Sequence, residues 1–184
     1  MAISNESKVY GYILSEVFAA ISCRNDVTIR FTEKSKRSCY GFEVAQDGKI
    51  VASFGLFVKT SSKRLSPWRF TFFREHQEQI EDLKCDYGEV FIALLNGNDG
   101  VACFNYEVLK RLLDDNFEDS EWISVRRKVG EQYTVAGKDG NLSGKLPLNE
   151  FPSAITEFIN YKLDAMIASN SDRTPKQKKF FGLF

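Results

Sequence analysis

Lys59 lies in the run Phe57-Val58-Lys59-Thr60-Ser61, where a long apolar stretch gives way to hydroxyls and then to cations. A lysine leaving a buried strand beside two hydroxyls is placed to face a phosphate, because the ammonium offsets its charge and the hydroxyls add hydrogen bonds. The loop that follows supplies Lys63, Arg64, Arg69 and Arg74, with Trp68, Phe70 and Phe72 interleaved among them. If exposed, those rings could stack on bases. Their strict alternation favours the other reading, in which the aromatics enter the core while Arg69 and Thr71 face water.

A second cationic group, Arg126-Arg127-Lys128, has Lys138 and Lys145 nearby in sequence. On a strand, Arg126 and Lys128 share a face that could continue a phosphate-binding surface. The simpler expectation is a solvated strand edge that charge protects from aggregation. The lone histidine, His76, falls in a polar helix and reads as a surface residue, since no motif sets a serine or cysteine beside it. The glycine-rich stretches at 97–100 and 137–145 lack the spacing of phosphate loops and read as turns. Near the end, KQKK precedes Phe180, Phe181, Leu183 and Phe184. Apolar residues in such a tail must dock somewhere: on the chain's own core, on a protein partner or on a membrane surface.

The elements that must carry these residues follow from periodicity. Helical spacing of Val9, Ile13, Val17 and Ala20 predicts a helix over Asn5–Ser22. Strands are expected over Val27–Thr32, Cys39–Ala45 and Lys49–Lys59, with Asp47-Gly48 turning the second into the third. A short strand or extended arm, Trp68–Phe73, leads into a polar helix over Arg74–Leu83. Then come a hairpin of Glu89–Leu95 with Val101–Asn105, a helix over Tyr106–Asp114, a hairpin of Trp122–Lys128 with Gln132–Ala136, and a helix over Ser153–Ala168. The expected fold is α/β, a mixed central sheet flanked by helices. One globular domain over 1–168 and a flexible basic and aromatic tail over 169–184 are expected.

Composition narrows the function classes. Lysines and arginines number 25 against 25 aspartates and glutamates, so any nucleic-acid binding must come from a local face rather than overall charge. The four cysteines form no CxxC pair, and with one histidine they read as reduced core residues rather than zinc ligands. No apolar stretch reaches the ~18 residues of a membrane span, and the start shows no signal core, so a cytoplasmic location is expected.

The element order, together with Gly41-Phe42-Glu43, then Phe57-Val58-Lys59-Thr60-Ser61, then Pro67-Trp68-Arg69-Phe70, resembles the PD-(D/E)XK nuclease superfamily over about Asn5–Asn105. The resemblance implies an αβββαβ restriction-endonuclease-like core, here with an added C-terminal hairpin and helix. It also implies a site combining Glu43, as a Mg²⁺ ligand, with Lys59 and Glu16 of the first helix. Carboxylates would hold the metal that activates water, and the lysine would stabilise developing charge. The chain departs from the motif at Phe57, where an acid or glutamine belongs. The expectation is thus a nuclease-like protein of degenerate catalytic set that acts on DNA in phage defence or repair. An adaptor working through the tail and an active Mg²⁺-dependent endonuclease are the alternatives. Glu43 and Lys59 as an ion pair at a sheet edge is the plain structural reading.

Overall fold

The computed structural model describes residues 5–24, 26–34 and 38–171; the C-terminal aromatics Phe180, Phe181, Leu183 and Phe184 lie outside the described residues. Helix α1 (Asn5–Ser22) is followed by three strands, β1 (Thr28–Glu33), β2 (Cys39–Gln46) and β3 (Lys49–Ser61). Asp47 and Gly48, with φ of 51° and 74°, supply the left-handed conformation that a tight hairpin between β2 and β3 demands. After β4 (Trp68–Phe73) the chain enters α2 (Arg74–Tyr87) and returns as β5 (Val90–Asn96). The remainder is β6 (Val101–Asn105), α3 (Tyr106–Leu112), β7 (Ser120–Arg126), β8 (Thr134–Gly137) and α4 (Glu150–Ser171).

The architecture is mixed α and β. A five-stranded sheet runs in the order β1-β2-β3-β5-β6, antiparallel except for the parallel β3–β5 pair. Strand β3 is apolar on both faces because both are covered. Phe54, Leu56 and Val58 join Ile13, Val17 and Ile21 of α1 and Ile155, Ile159 and Leu163 of α4 in one core. On the other face, Phe57 packs with Ile80 and Leu83 of α2 and with Trp68, Phe70 and Phe72.

Strand β4 does not extend the central sheet. It pairs with β7 in a separate three-stranded sheet, β4-β7-β8, layered over the α2 face. Its alternation is the reason: Trp68, Phe70 and Phe72 are buried beneath it while Arg69 and Thr71 are exposed above. That outcome agrees with the core reading of the aromatics. Strand β7 ends at Arg126, so Lys128 belongs to the turn beyond rather than to the strand face. Two cysteines depart from expectation: Cys39 and Cys103 are buried, but Cys23 and Cys85 are exposed, and all four are free thiols. Among the described residues no helix is long and apolar enough to cross a membrane.

Candidate functional site

Lys59 leaves β3 on the α2 face, the same face as Phe57. Its ammonium lies 5.3 Å from the centroid of Phe72 and 5.9 Å from that of Phe57. Both ring nitrogens of His76, in the first turn of α2, are 3.4 Å from Lys59 Nζ. The residue therefore sits in a cage of three rings, half-buried, and burial lowers its pKa to about 8. His76 Nδ1 accepts the Phe73 backbone N–H at 3.0 Å, which ties down one of the unpaired donors at the start of α2. A backbone amide can only donate, so Nδ1 bears the lone pair and the ring proton sits on Nε2. His76 is thus a half-buried partner of Lys59 and a helix cap, not the surface residue expected.

The three residues implied as catalytic are not brought together. Glu43 is opposite Ser53 in the β2–β3 register, and Lys59 is a further six residues along β3, roughly 20 Å at 3.3 Å per residue. Helix α2 covers the sheet between them. Gly41 and Gly55 face each other in that interval, and a Cβ would come within 1.9 Å of the Tyr87 hydroxyl at Gly41 and within 2.9 Å of Leu83 Cβ at Gly55. The glycine of Gly-Phe-Glu is thereby explained by helix packing. Glu43 pairs with Arg30, its cross-strand neighbour, at 3.0 Å, not with Lys59. Glu16 is on α1, whose buried side packs on the opposite face of the sheet. Phe57, fully buried, fills the position where the motif needs a ligand. Both the catalytic set and the Glu43–Lys59 ion pair are corrected by these placements.

The candidate nucleic-acid contacts sort differently. Ser66 Oγ, in the β3–β4 loop, accepts the Arg127 backbone N–H at 3.0 Å. This bond seats the loop carrying Lys63 and Arg64 against the turn carrying Lys128. A cleft of about 390 Å³ opens there, lined by Ser66, Arg126, Arg127, Lys128, Glu131 and Thr134. Arg126 and Lys128 are exposed. Arg127 is committed to Asp99 through hydrogen bonds from Nε and Nη2, the first at 2.7 Å, and this holds the Asp99 carboxyl below the usual range. Lys63 Nζ donates to the Pro67 carbonyl at 2.8 Å, and the Trp68 indole donates to the Lys63 carbonyl at 2.9 Å, fixing the loop. Arg69 lies on the outer face of β4, its guanidinium 4.5 Å from the centroid of Trp122. Arg74 begins α2 at the far end of β4, roughly 20 Å of strand away from the cleft. Of the six expected cations, Arg126 and Lys128 line the cleft, Arg69 lies on the outer face of the same sheet, Lys63 and Arg64 belong to the loop that Ser66 ties to it, and Arg74 lies away from it.

A group that sequence reasoning missed is acidic. Asp114, after α3, Glu121 on β7 and Asp139, after β8, each offer a carboxylate oxygen within 4.8 Å of the other two. Glu121 is 1 % exposed on the inner face of β7, opposite Phe72. Its Oε2 accepts the Gln77 side-chain amide, and its Oε1 has no hydrogen-bond partner. Burial raises its pKa, against the Gln77 bond, and the Asp139 carboxyl raises it further. Among the described residues this group could hold a metal ion, and Glu43 is not part of it. No fixed spacing announces them; the one legible cue is a lone glutamate at a position of β7 that alternation turns inward.

In comparisons with known proteins, the chain matches no family model, no curated protein and no solved structure.

Proposed function

We propose that this chain holds the phosphate backbone of a nucleic acid, without cutting it, on the face shared by the β3–β4 loop and the β7–β8 turn. The observation that carries this reading is the Ser66–Arg127 contact, which ties the loop bearing Lys63 and Arg64 to the edge of the cleft lined by Arg126 and Lys128. The fixed loop and the stacked Arg69 reduce the ordering cost of presenting cations to an extended anion. The order α1-β1-β2-β3, then α2-β5 with β5 parallel to β3, is in keeping with a nuclease-like core, and DNA defence or repair is the setting we propose for it. The distance between Glu43 and Lys59 argues for binding rather than hydrolysis.

Fluorescence anisotropy of a labelled DNA duplex across a salt series tests this. Affinity is expected to fall steeply with salt, by about 0.9 in log–log slope per phosphate contacted. The double variant Arg126→Ala, Lys128→Ala is expected to bind every sequence more weakly, with a slope shallower by about 2. Absence of binding at low salt, or wild-type behaviour of the double variant, overturns the proposal. Mg²⁺-dependent plasmid nicking that disappears in Lys59→Ala would overturn its non-catalytic half.

A further inference from the structure

A carboxylate buried in a core is held there by its partners or not held at all. Glu121 has half a set. Its Oε2 is satisfied by Gln77, and its Oε1 stands unpaired with 1 % of the residue exposed. Two further carboxylates, Asp114 and Asp139, converge on it from the exposed side. Three acids at this spacing repel one another when ionised, and either a proton or a cation between them relieves the repulsion. Lys138, next to Asp139 in the chain, is paired with Glu118, and its charge is the weakest of the named influences on Glu121. The positions of the two aspartates are fixed by backbone. Asp114 N–H donates to Asp139 Oδ2 at 3.2 Å, and Asp139 N–H donates to the Leu112 carbonyl at 3.1 Å.

We infer that Asp114, Glu121 and Asp139 form a binding site for a hard divalent cation, with the unpaired Glu121 Oε1 as its buried ligand. The donor set is all oxygen, which suits Ca²⁺, Mg²⁺ or Mn²⁺ and disfavours metals that select sulfur or imidazole. The three carboxylate oxygens all lie within 4.8 Å of one another, close enough to share one ion. Three protein carboxylates leave the remaining positions to water on the exposed side. The ion would tie β7 to the segment after α3 and to the turn after β8, a structural role separate from the cationic cleft.

Isothermal titration of the metal-stripped chain with CaCl₂ and with MgCl₂, alongside thermal melts in EDTA and in each salt, tests the inference. One Ca²⁺ per chain is expected, with a rise of several degrees in Tm. Asp139→Asn and Asp114→Asn, both at exposed positions, are each expected to weaken Ca²⁺ at least tenfold. Glu121→Gln is expected to melt in EDTA no lower than wild type, since an amide in that site carries no unpaired charge, while losing its response to Ca²⁺. That combination separates lost metal binding from lost folding. No heat of binding together with equal Tm in EDTA and Ca²⁺ overturns the inference, as does wild-type titration by both aspartate variants.

Discussion

Lys59 and Glu121 are charged side chains that the fold takes wholly or partly out of water. For Lys59 the consequence is a dependence of stability on pH. Its pKa is about 8 in the folded chain and about 10.4 when unfolded. Below pH 8 both states hold the proton, and the folded state bears the whole cost of a half-buried charge. Between pH 8 and pH 10.4 the folded state releases the proton while the unfolded state keeps it, so stability rises with pH through that window. Lys59→Met is therefore expected to be more stable than wild type by about 1–2 kcal/mol at pH 7, after allowance for solvent screening. Urea midpoints at pH 7 and pH 10.5 should show that advantage disappearing. The departure of Lys59 from its apolar strand is legible in the sequence; its partner is not. His76 reaches it because β4 turns directly into α2, a tertiary consequence that the polar run around His76 does not display.

At the scale of elements, local pattern carries most of the information. Helix α1 and strands β4 and β6 have the limits that periodicity and turn residues assign them. Helix α2 outlasts its expected end because Leu83 and Tyr87 continue the inward stripe, and Gly55 and Gly41 make room for them. What the pattern leaves open is which strands pair. Strand β4 alternates so strictly that it demands one covered face, but nothing local says that its neighbour is β7 rather than β3. The acidic triad is hidden for the same reason, since its members come from one strand and two connections that meet only after β8 docks on α3. That docking is close: a Cβ on Gly137 would lie 2.0 Å from the Leu112 carbonyl oxygen, a backbone atom that cannot swing aside. Gly137→Ala is expected to cost at least about 2–3 kcal/mol in chemical denaturation. Alanine at Gly144, where no atom lies within 4 Å of the added carbon, is the matched control.

For the whole molecule, charge balance and layering set the terms. With equal numbers of acids and bases, attraction for a polyanion has to be local, which is why the grouping of cations at one cleft matters more than their total. The two sheets are joined near that cleft by Arg127, beyond β7, and Asp99, in the β5–β6 turn. Asp99→Asn is expected to lower the urea midpoint at pH 7. The depressed pKa of Asp99 gives a contribution that is present above the ordinary carboxylate range and lost as pH falls through the folded value. The gap between variant and wild type should therefore close below about pH 4.

The register of β4 against β7 has a consequence in time. The β2–β3 hairpin closes across a two-residue turn, but Trp68 meets Val125 only after α2, β5, β6 and α3 have been folded between them. Loop-closure entropy makes such a pairing late to form, and contacts that form late are the ones whose loss mainly speeds unfolding. The cationic cleft sits at this late seam, with Ser66 from the chain leaving β3 and Arg126 to Thr134 from the chain leaving β7. An anion bound there would act as a latch on the step that completes folding.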